Sequence, residues 1–416
     1  MSVNISKRDS PRVTGVSRSV IAVSTIYGAG LLQGFAFVLI PALGTLLKGA
    51  PYHLTATDYG SLFLPMTAGA IVSALTAGIL DRRIGASGVF RLGLAANALA
   101  LCLLVGSAAY AGHPPAYVML MAETALLGLG FGFNLSAINH LAALLFPQSE
   151  TAAVTLLNAV IGGSTALSPL ILNLFEAAHR WWLWPLALIA GFLTVLALSA
   201  ILRKTHAGST SAGGNPVSGP SLLIFGLAVL IYAIVEGTFG SWAALYVSGS
   251  HHLPPRYGAW ALSAFWGAMT AFRLLFGLVP SRWAPPQIVY RASPIAIAAC
   301  FLALPYVSAP WGLVGAFAAA GAACSIYYPY TMSFAMEAHA RRQTQAAGLL
   351  VAALMSGEGI GSYALGPLQK HLSLSLIYGF SALWTLPLFG LAFLLSRINT
   401  GQRRNPADHH PAINKI

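Results

Sequence analysis

Apolar runs broken by glycine, proline or charge recur along nearly the whole chain, at 20–45, 58–80, 89–111, 115–146, 151–176, 181–202, 221–248, 257–279, 287–307, 310–336, 343–368 and 373–396. Each is close to or above the roughly 20 residues an α-helix needs to cross a hydrocarbon core, so the pattern predicts twelve transmembrane helices. Between the sixth and seventh runs the character changes. From Arg203 to Pro220 the chain is rich in glycine and serine and lacks the apolar residues a core requires, which predicts a flexible linker. The predicted organisation is therefore an all-α membrane protein in two pseudo-symmetric six-helix halves, 20–202 and 221–396. A cytoplasmic tail over 1–19, a cytoplasmic linker over 203–220 and a second tail over 397–416 complete it.

Composition strengthens this reading. Of 416 residues, 57% are hydrophobic and 8% charged, with a mean hydropathy of +0.73. A soluble globular chain carries about 25% charged residues, so a soluble multidomain protein is excluded. The net charge of +12 would suggest nucleic acid in a soluble chain. Here the basic residues cluster at helix ends, and with a cytoplasmic N-terminus only Lys48, Arg180, Arg256 and Lys370 fall outside, while Arg273 lies within a span. That bias predicts both termini inside and an anionic lipid leaflet, not nucleic acid, as the partner of the charge, in a cell or bacterial inner membrane. The apolar run from Val20 has no small-residue cleavage site and is read as a retained first helix.

The motifs absent narrow the function. Cys102, Cys300 and Cys324 lie in apolar runs without metal-ligand spacing, and no GK[ST] phosphate loop or HExxH metal motif occurs. Asp9, Asp58, Asp81 and Asp408 are terminal or at helix ends, so no buried aspartate is available for a hydrolase triad. Neither an enzyme, a metal site nor a cofactor is expected.

An ionisable side chain in the bilayer core costs several kcal/mol unless paired or hydrated, so each one needs an account. Glu236 lies mid-span in the seventh helix, either as a proton-titrating or solute-binding carboxylate or as one side of a fixed ion pair. Glu358 sits in the eleventh among Gly357, Gly359 and Gly361, which suit close packing or a hinge with a polar partner. Arg273, in the inner third of the eighth helix, either snorkels, forms a structural pair or contacts an anion. Gln33, Asn134, Asn139 and Asn158 have amides that suit solute hydroxyls or interhelical hydrogen bonds equally. His140 near the cytoplasmic side reads as structural. In the tenth helix, Tyr327, Tyr328 and Tyr330 surround Pro329, which removes a backbone hydrogen bond at membrane depth. Aromatic rings with hydroxyl handles suit sugars, and Trp242 and Trp266 could extend that wall.

The loop between the second and third helices reads Gly78, Asp81, Arg82, Arg83, Gly85, and its counterpart between the eighth and ninth carries Gly277 and Arg282. With the two-half plan, this resembles the major facilitator superfamily, although the spacing around Asp81 departs from that family's signature by one residue on each side. The resemblance implies that helices 1, 4, 7 and 10 line a central cavity and that Asp81 faces the N-terminal end of helix 11 and holds the inner gate shut; Arg82 and Arg273 are further gating candidates. Leu39-Ile40-Pro41 and the stretch from Tyr232 through Glu236, Gly240, Ser241 and Trp242 to Tyr246 are similar to the fucose permease branch. The carboxylates that branch carries on helices 1 and 4 fall on Phe37 and Leu135, so that proton site is not carried over.

Together these readings point to a monomeric secondary transporter that moves a small polar solute by alternating access, with a proton as coupling ion. Uptake of a sugar-like or organic-acid solute is the leading expectation, with Glu236 the first titratable candidate. Proton-driven export of a drug or metal-chelating metabolite is the alternative.

Overall fold

A computed structural model describes residues 13–201, 220–280, 282–339 and 343–404. Eleven of its helices are long and apolar enough to cross a membrane: α1 (Val20–Lys48), α2 (Ala56–Ile84), α3 (Ala86–Tyr110), α4 (Pro114–Leu145), α5 (Glu150–Ala177), α7 (Ser221–Ser250), α8 (Pro255–Leu278), α9 (Pro286–Tyr306), α10 (Pro310–Ala338), α11 (Ala346–Leu368) and α12 (Leu374–Arg397). The apolar helix α6 (Leu183–Leu198) has 16 residues, short of the predicted run to 202. It ends in a tight turn over Ser199–Ile201, where Arg91 of α3 donates to the Ser199 hydroxyl at 3.1 Å and to its carbonyl at 2.9 Å. The predicted linker up to residue 219, both chain ends, Arg341 and Arg342 lie outside the described residues.

Two further departures from the predicted boundaries have local causes. The expected loop of Asp81, Arg82 and Arg83 is helical, because α2 continues to Ile84 and the reversal into α3 takes the single residue Gly85, at φ +76°. Proline interrupts α1 and α10. A proline ring clashes with the carbonyl four residues earlier. Accordingly α1 breaks at Val38, ahead of Pro41, and α10 breaks at Ser325–Ile326, ahead of Pro329.

Successive helices reverse direction, so one face carries Lys48, Arg256 and Lys370 and the other Arg82, Arg83 and Arg397. α7 is buried along 78% of its apolar stretch and α1 along 61%, against 28% for α5 and α8. α1 and α7 are therefore the central helices. Toward the Lys48 face α1 meets α7 at Gly44 and Leu245, and beside them Tyr59, at the start of α2, donates to the Ser241 carbonyl at 2.8 Å and sets its ring edge-on to Trp242 at 4.9 Å. Beside them, Lys48 donates to Gln369 at 3.4 Å, and Ser263 of α8 donates to the Ala166 carbonyl of α5 at 2.5 Å. These contacts close the molecule on that face.

Certain contacts occur twice along the chain. Arg291 of α9 donates to Ser396 of α12 at 2.7 Å, as Arg91 does to Ser199. Gly34 of α1 packs on Ile161 and Ser164 of α5, and Gly237 of α7 packs on Glu358 and Ser362 of α11. α11 approaches α7 more closely still through Gly357 and Gly361, one turn apart, which lie on the Leu230 and Ile234 carbonyls. No side chain fits there. Gly361→Val is expected to cost about 1–3 kcal/mol by overpacking and to lower the thermal midpoint of the detergent-solubilised protein. Gly390→Val on α12, where a Cβ meets nothing within 4 Å, is expected to leave it unchanged.

Candidate functional site

The break in α10 supplies the first element of the site. With the helix interrupted ahead of Pro329, the Cys324 and Ser325 carbonyls take side-chain donors: Tyr232 of α7 donates to Cys324 at 2.7 Å, and Arg273 of α8 donates to Ser325 at 3.1 Å. The other end of the guanidinium reaches Glu236 Oε1 on α7 at 3.4 Å. Of this pair Arg273 is 38% exposed and Glu236 5%. The Arg273 guanidinium thus ties α8 to both α7 and α10.

Glu236 also lines a central cavity where the break in α1, with Phe37, Val38 and Pro41, meets α2, α4, α7, α8 and α11. Phe37 and Phe131 pack at 4.8 Å, and Trp266 stands edge-on to Phe37 at 6.1 Å, forming an aromatic wall. Polar groups face this wall. Glu358 lines the cavity and makes no hydrogen bond among the described residues, and the buried Trp266 Nε1–H is a donor without an acceptor. Tyr328 is within electrostatic reach of Glu236, Arg273 and Glu358. Ser241 and Ser362 complete the cavity and also bond each other at 2.6 Å, while Trp242 Nε1 donates to the Ser362 carbonyl at 2.8 Å. The cavity floor and the Lys48-face closure therefore share residues. About 40 Å³ is open to water, room for about three molecules.

The sequence pattern of the Major Facilitator Superfamily matches residues 25–362. The chain belongs to the Major Facilitator Superfamily. Its fold is similar to the crystal structure of the nucleoside transporter NupG (TM-score 0.70, 11% identity, covering 91% of this chain and 99% of that one). It is also similar to the E. coli fucose:proton symporter FucP (TM-score 0.61, 17% identity, covering 92% and 99%). A curated relative, Bypass of stop codon protein 6 of Saccharomyces cerevisiae, is 22% identical over 276 residues, 58% of this chain and 53% of that protein. The match thus spans about half the length of the yeast protein. Both of those structures are of transporters, and the family match agrees with a multi-pass membrane protein.

In this superfamily member the sequence-derived candidates separate into groups. Glu236, Glu358 and Trp266 meet on the cavity with Arg273 and Tyr328 beside them. Trp242 is fully buried in the Lys48-face closure, not on the cavity. Gln33 and Asn134 lie elsewhere: Gln33 Oε1 accepts from Asn134 at 2.9 Å and from Asn97 at 2.7 Å, tying α1, α4 and α3 together. Gln33 precedes Gly34 as Glu236 precedes Gly237, so the two occupy matching positions in the repeated contact. Asn139 accepts from Asn158 at 3.3 Å between α4 and α5. Tyr327 stacks between Tyr232 and Tyr290 and donates to the Leu388 carbonyl, and Tyr330 packs on Phe334. Asp81 and Arg82 stand in the last turns of α2, where Asp81 makes no hydrogen bond to α11 among the described residues.

Sequence reasoning missed Tyr232, Ser241, Ser362 and the cavity-lining role of Phe37. Tyr232 precedes Glu236 by one helical turn and Ser362 follows Glu358 by one, so helical spacing from the two carboxylates identifies both. Removing one member of the Glu236–Arg273 pair leaves the other charge uncompensated. Arg273→Met and Glu236→Gln are each expected to lower the thermal midpoint, and the double variant to lose less than their sum. The resulting coupling energy, about 1–3 kcal/mol by double-mutant cycle, would vanish if the two side chains did not interact.

Proposed function

We propose that this chain is a secondary active transporter that moves a small, neutral, sugar-like solute by alternating access, coupled to protons through Glu236. The single observation that carries this reading is the ion pair at the centre. Glu236 and Arg273 join α7 to α8 beside the cavity that the Lys48-face closure seals. A proton arriving at Glu236 Oε1 neutralises the carboxylate and removes its attraction for Arg273, which loosens α7 from α8. The closure contact at Ser241 is five residues further along α7, so the change at Glu236 reaches it through one rigid element.

The repeated contacts support twelve helices in two halves, 20–202 and 221–396, with α6 as the short member. The basic residues favour a cytoplasmic Arg82 face and cytoplasmic termini, which would make the sealed Lys48 face the outer one. A cavity of 40 Å³ is too small for a sugar, so solute entry requires the helices to part.

Charge favours one of the solute classes that the sequence left open. The site holds two carboxylates, Glu236 and Glu358, against one guanidinium, which disfavours an organic acid. An aromatic wall, a free indole donor and a free carboxylate suit the apolar faces and hydroxyls of a sugar. The similar structures are a nucleoside transporter and a fucose:proton symporter, which points the same way. The unpaired Glu358 favours a second reading, export of a cationic drug in exchange for protons.

Thermal unfolding against neutral sugars, organic acids, cationic drugs and chelators separates these readings, since a ligand at about 100 times its Kd stabilises by about 2.7 kcal/mol. A sugar is expected to raise the midpoint, with the effect lost in Glu358→Gln. A shift with cationic drugs alone would establish the export reading instead. In proteoliposomes, Glu236→Gln is expected to abolish proton-driven accumulation of that sugar while exchange persists. Normal accumulation by Glu236→Gln would overturn the coupling assignment.

A further inference from the structure

Glu123 of α4 is fully buried, and neither carboxylate oxygen has a hydrogen-bond partner. Sequence reasoning passed over it, although it is an ionisable residue within a span. An unpaired buried polar group is among the more expensive features a fold can carry, and an ionised one more so. A glutamate that only filled space would be replaced by leucine at a gain. The charged side chains on the helices packed against α4 are Lys48 on α1, Asp58, Asp81, Arg82 and Arg83 on α2, Arg91 on α3, and Glu150 and Glu176 on α5. None of them pairs with Glu123, and neither does His140 on α4 itself.

Its surroundings are ordered along the helix axis. Gly93 and Gly106 of α3 face Asn134 and Met119 of α4, and Gly130 faces Asn97, an antiparallel register that puts Glu123 level with Leu104. One turn closer to the Lys48 face, Ser107 donates to the Leu104 carbonyl at 2.7 Å and meets the Tyr52 hydroxyl at 2.8 Å. Tyr52 in turn lines a cavity of about 700 Å³ on the Lys48 face, with Glu176, Trp181 and Arg256. In the other direction come Asn97, Gln33 and Asn134, each with one buried unpaired atom of its own. Polar groups thus occur at intervals along these apolar helices, from a surface cavity to the middle of the first six helices.

We propose that Glu123 is a second proton-carrying carboxyl, loaded from the Lys48 face through Tyr52 and Ser107 and separate from Glu236–Arg273. The proposal rests on the proton-coupled reading above. The step is protonation alone: a proton from the medium on that face ends on a Glu123 oxygen, and no other bond changes. Along the helix axis Ser107 and Glu123 are offset by about one helical turn, roughly 5.4 Å, and a bridging water is the link that the proposal requires.

Dicyclohexylcarbodiimide tests this on the full chain in detergent, with no solute present. The reagent adds to a protonated carboxyl in an apolar site, and peptide mass mapping tells Glu123 from Glu236 and Glu358. The expected result is an adduct on Glu123 that is lost as the medium is made alkaline, with the response to a pH jump slowed in Ser107→Ala and Tyr52→Phe. In parallel, an acid-minus-alkaline infrared difference spectrum is expected to lose one carboxyl band in Glu123→Gln. Glu123 unlabelled throughout, or labelled equally at every pH, would overturn the proposal. Because neither readout needs transport, failure of the Glu236 assignment leaves these results interpretable on their own.

Discussion

The arrangement around the central cavity depends on how a guanidinium is accommodated within a membrane-spanning bundle. Arg273 lies on a helix surrounded by apolar surface, and its charge is met in two ways. One is the carboxylate of Glu236, and the other is a backbone carbonyl that the proline break in α10 makes available. Each depends on the other. Without the break, the Ser325 carbonyl would be occupied within its own helix, and without Glu236 the charge would stand uncompensated beside the cavity. The result is a three-helix junction of α7, α8 and α10 held by polar contacts amid apolar packing.

The packing of α7 on α11 joins the site and the closure into one object. Ser241 and Ser362 line the cavity and also bond each other, while their carbonyls accept from Tyr59 and Trp242 in the Lys48-face contact. Spreading α7 from α11 would strain the hydrogen bonds that seal the molecule, and in the sealed arrangement the site has a volume of a few waters. Two discrete arrangements of a packed core are the expected way for such coupling to travel. Glycines at 237, 357 and 361 make this tight geometry attainable, because they let α7 and α11 touch backbone to backbone.

Several of these features were readable in advance and others were not. The cost of charge in a bilayer singled out Glu236, Glu358 and Arg273, and the same rule applied strictly would have added Glu123. Pro329 announced a broken helix, but nothing in the order of residues says which donors occupy the carbonyls it frees. The amides were ambiguous for a physical reason. A buried amide serves a solute or a neighbouring helix equally well, and Gln33 and Asn134 turned out to bind each other. The tyrosines around Pro329 diverge for a similar reason. Residues adjacent on a helix point in different directions, so Tyr328 reaches the charged site while Tyr327 packs against α9 and α12.

By itself the sequence determined that the chain crosses a membrane many times, roughly where its helices begin and end, and that Pro329 disturbs the tenth. These properties follow from local chemistry: runs of apolar side chains, ring closure at proline, and the free energy of charge in hydrocarbon. Tertiary structure alone decided which face of each helix turns inward, which side of the bundle is sealed, and that Arg273 meets Glu236 across 37 residues of chain. Lipid tails are as apolar as leucine, so the hydrophobic pattern of a spanning helix distinguishes inside from outside only weakly. The information lies instead in small residues and a few polar groups, whose meaning depends on what the neighbouring helix presents to them.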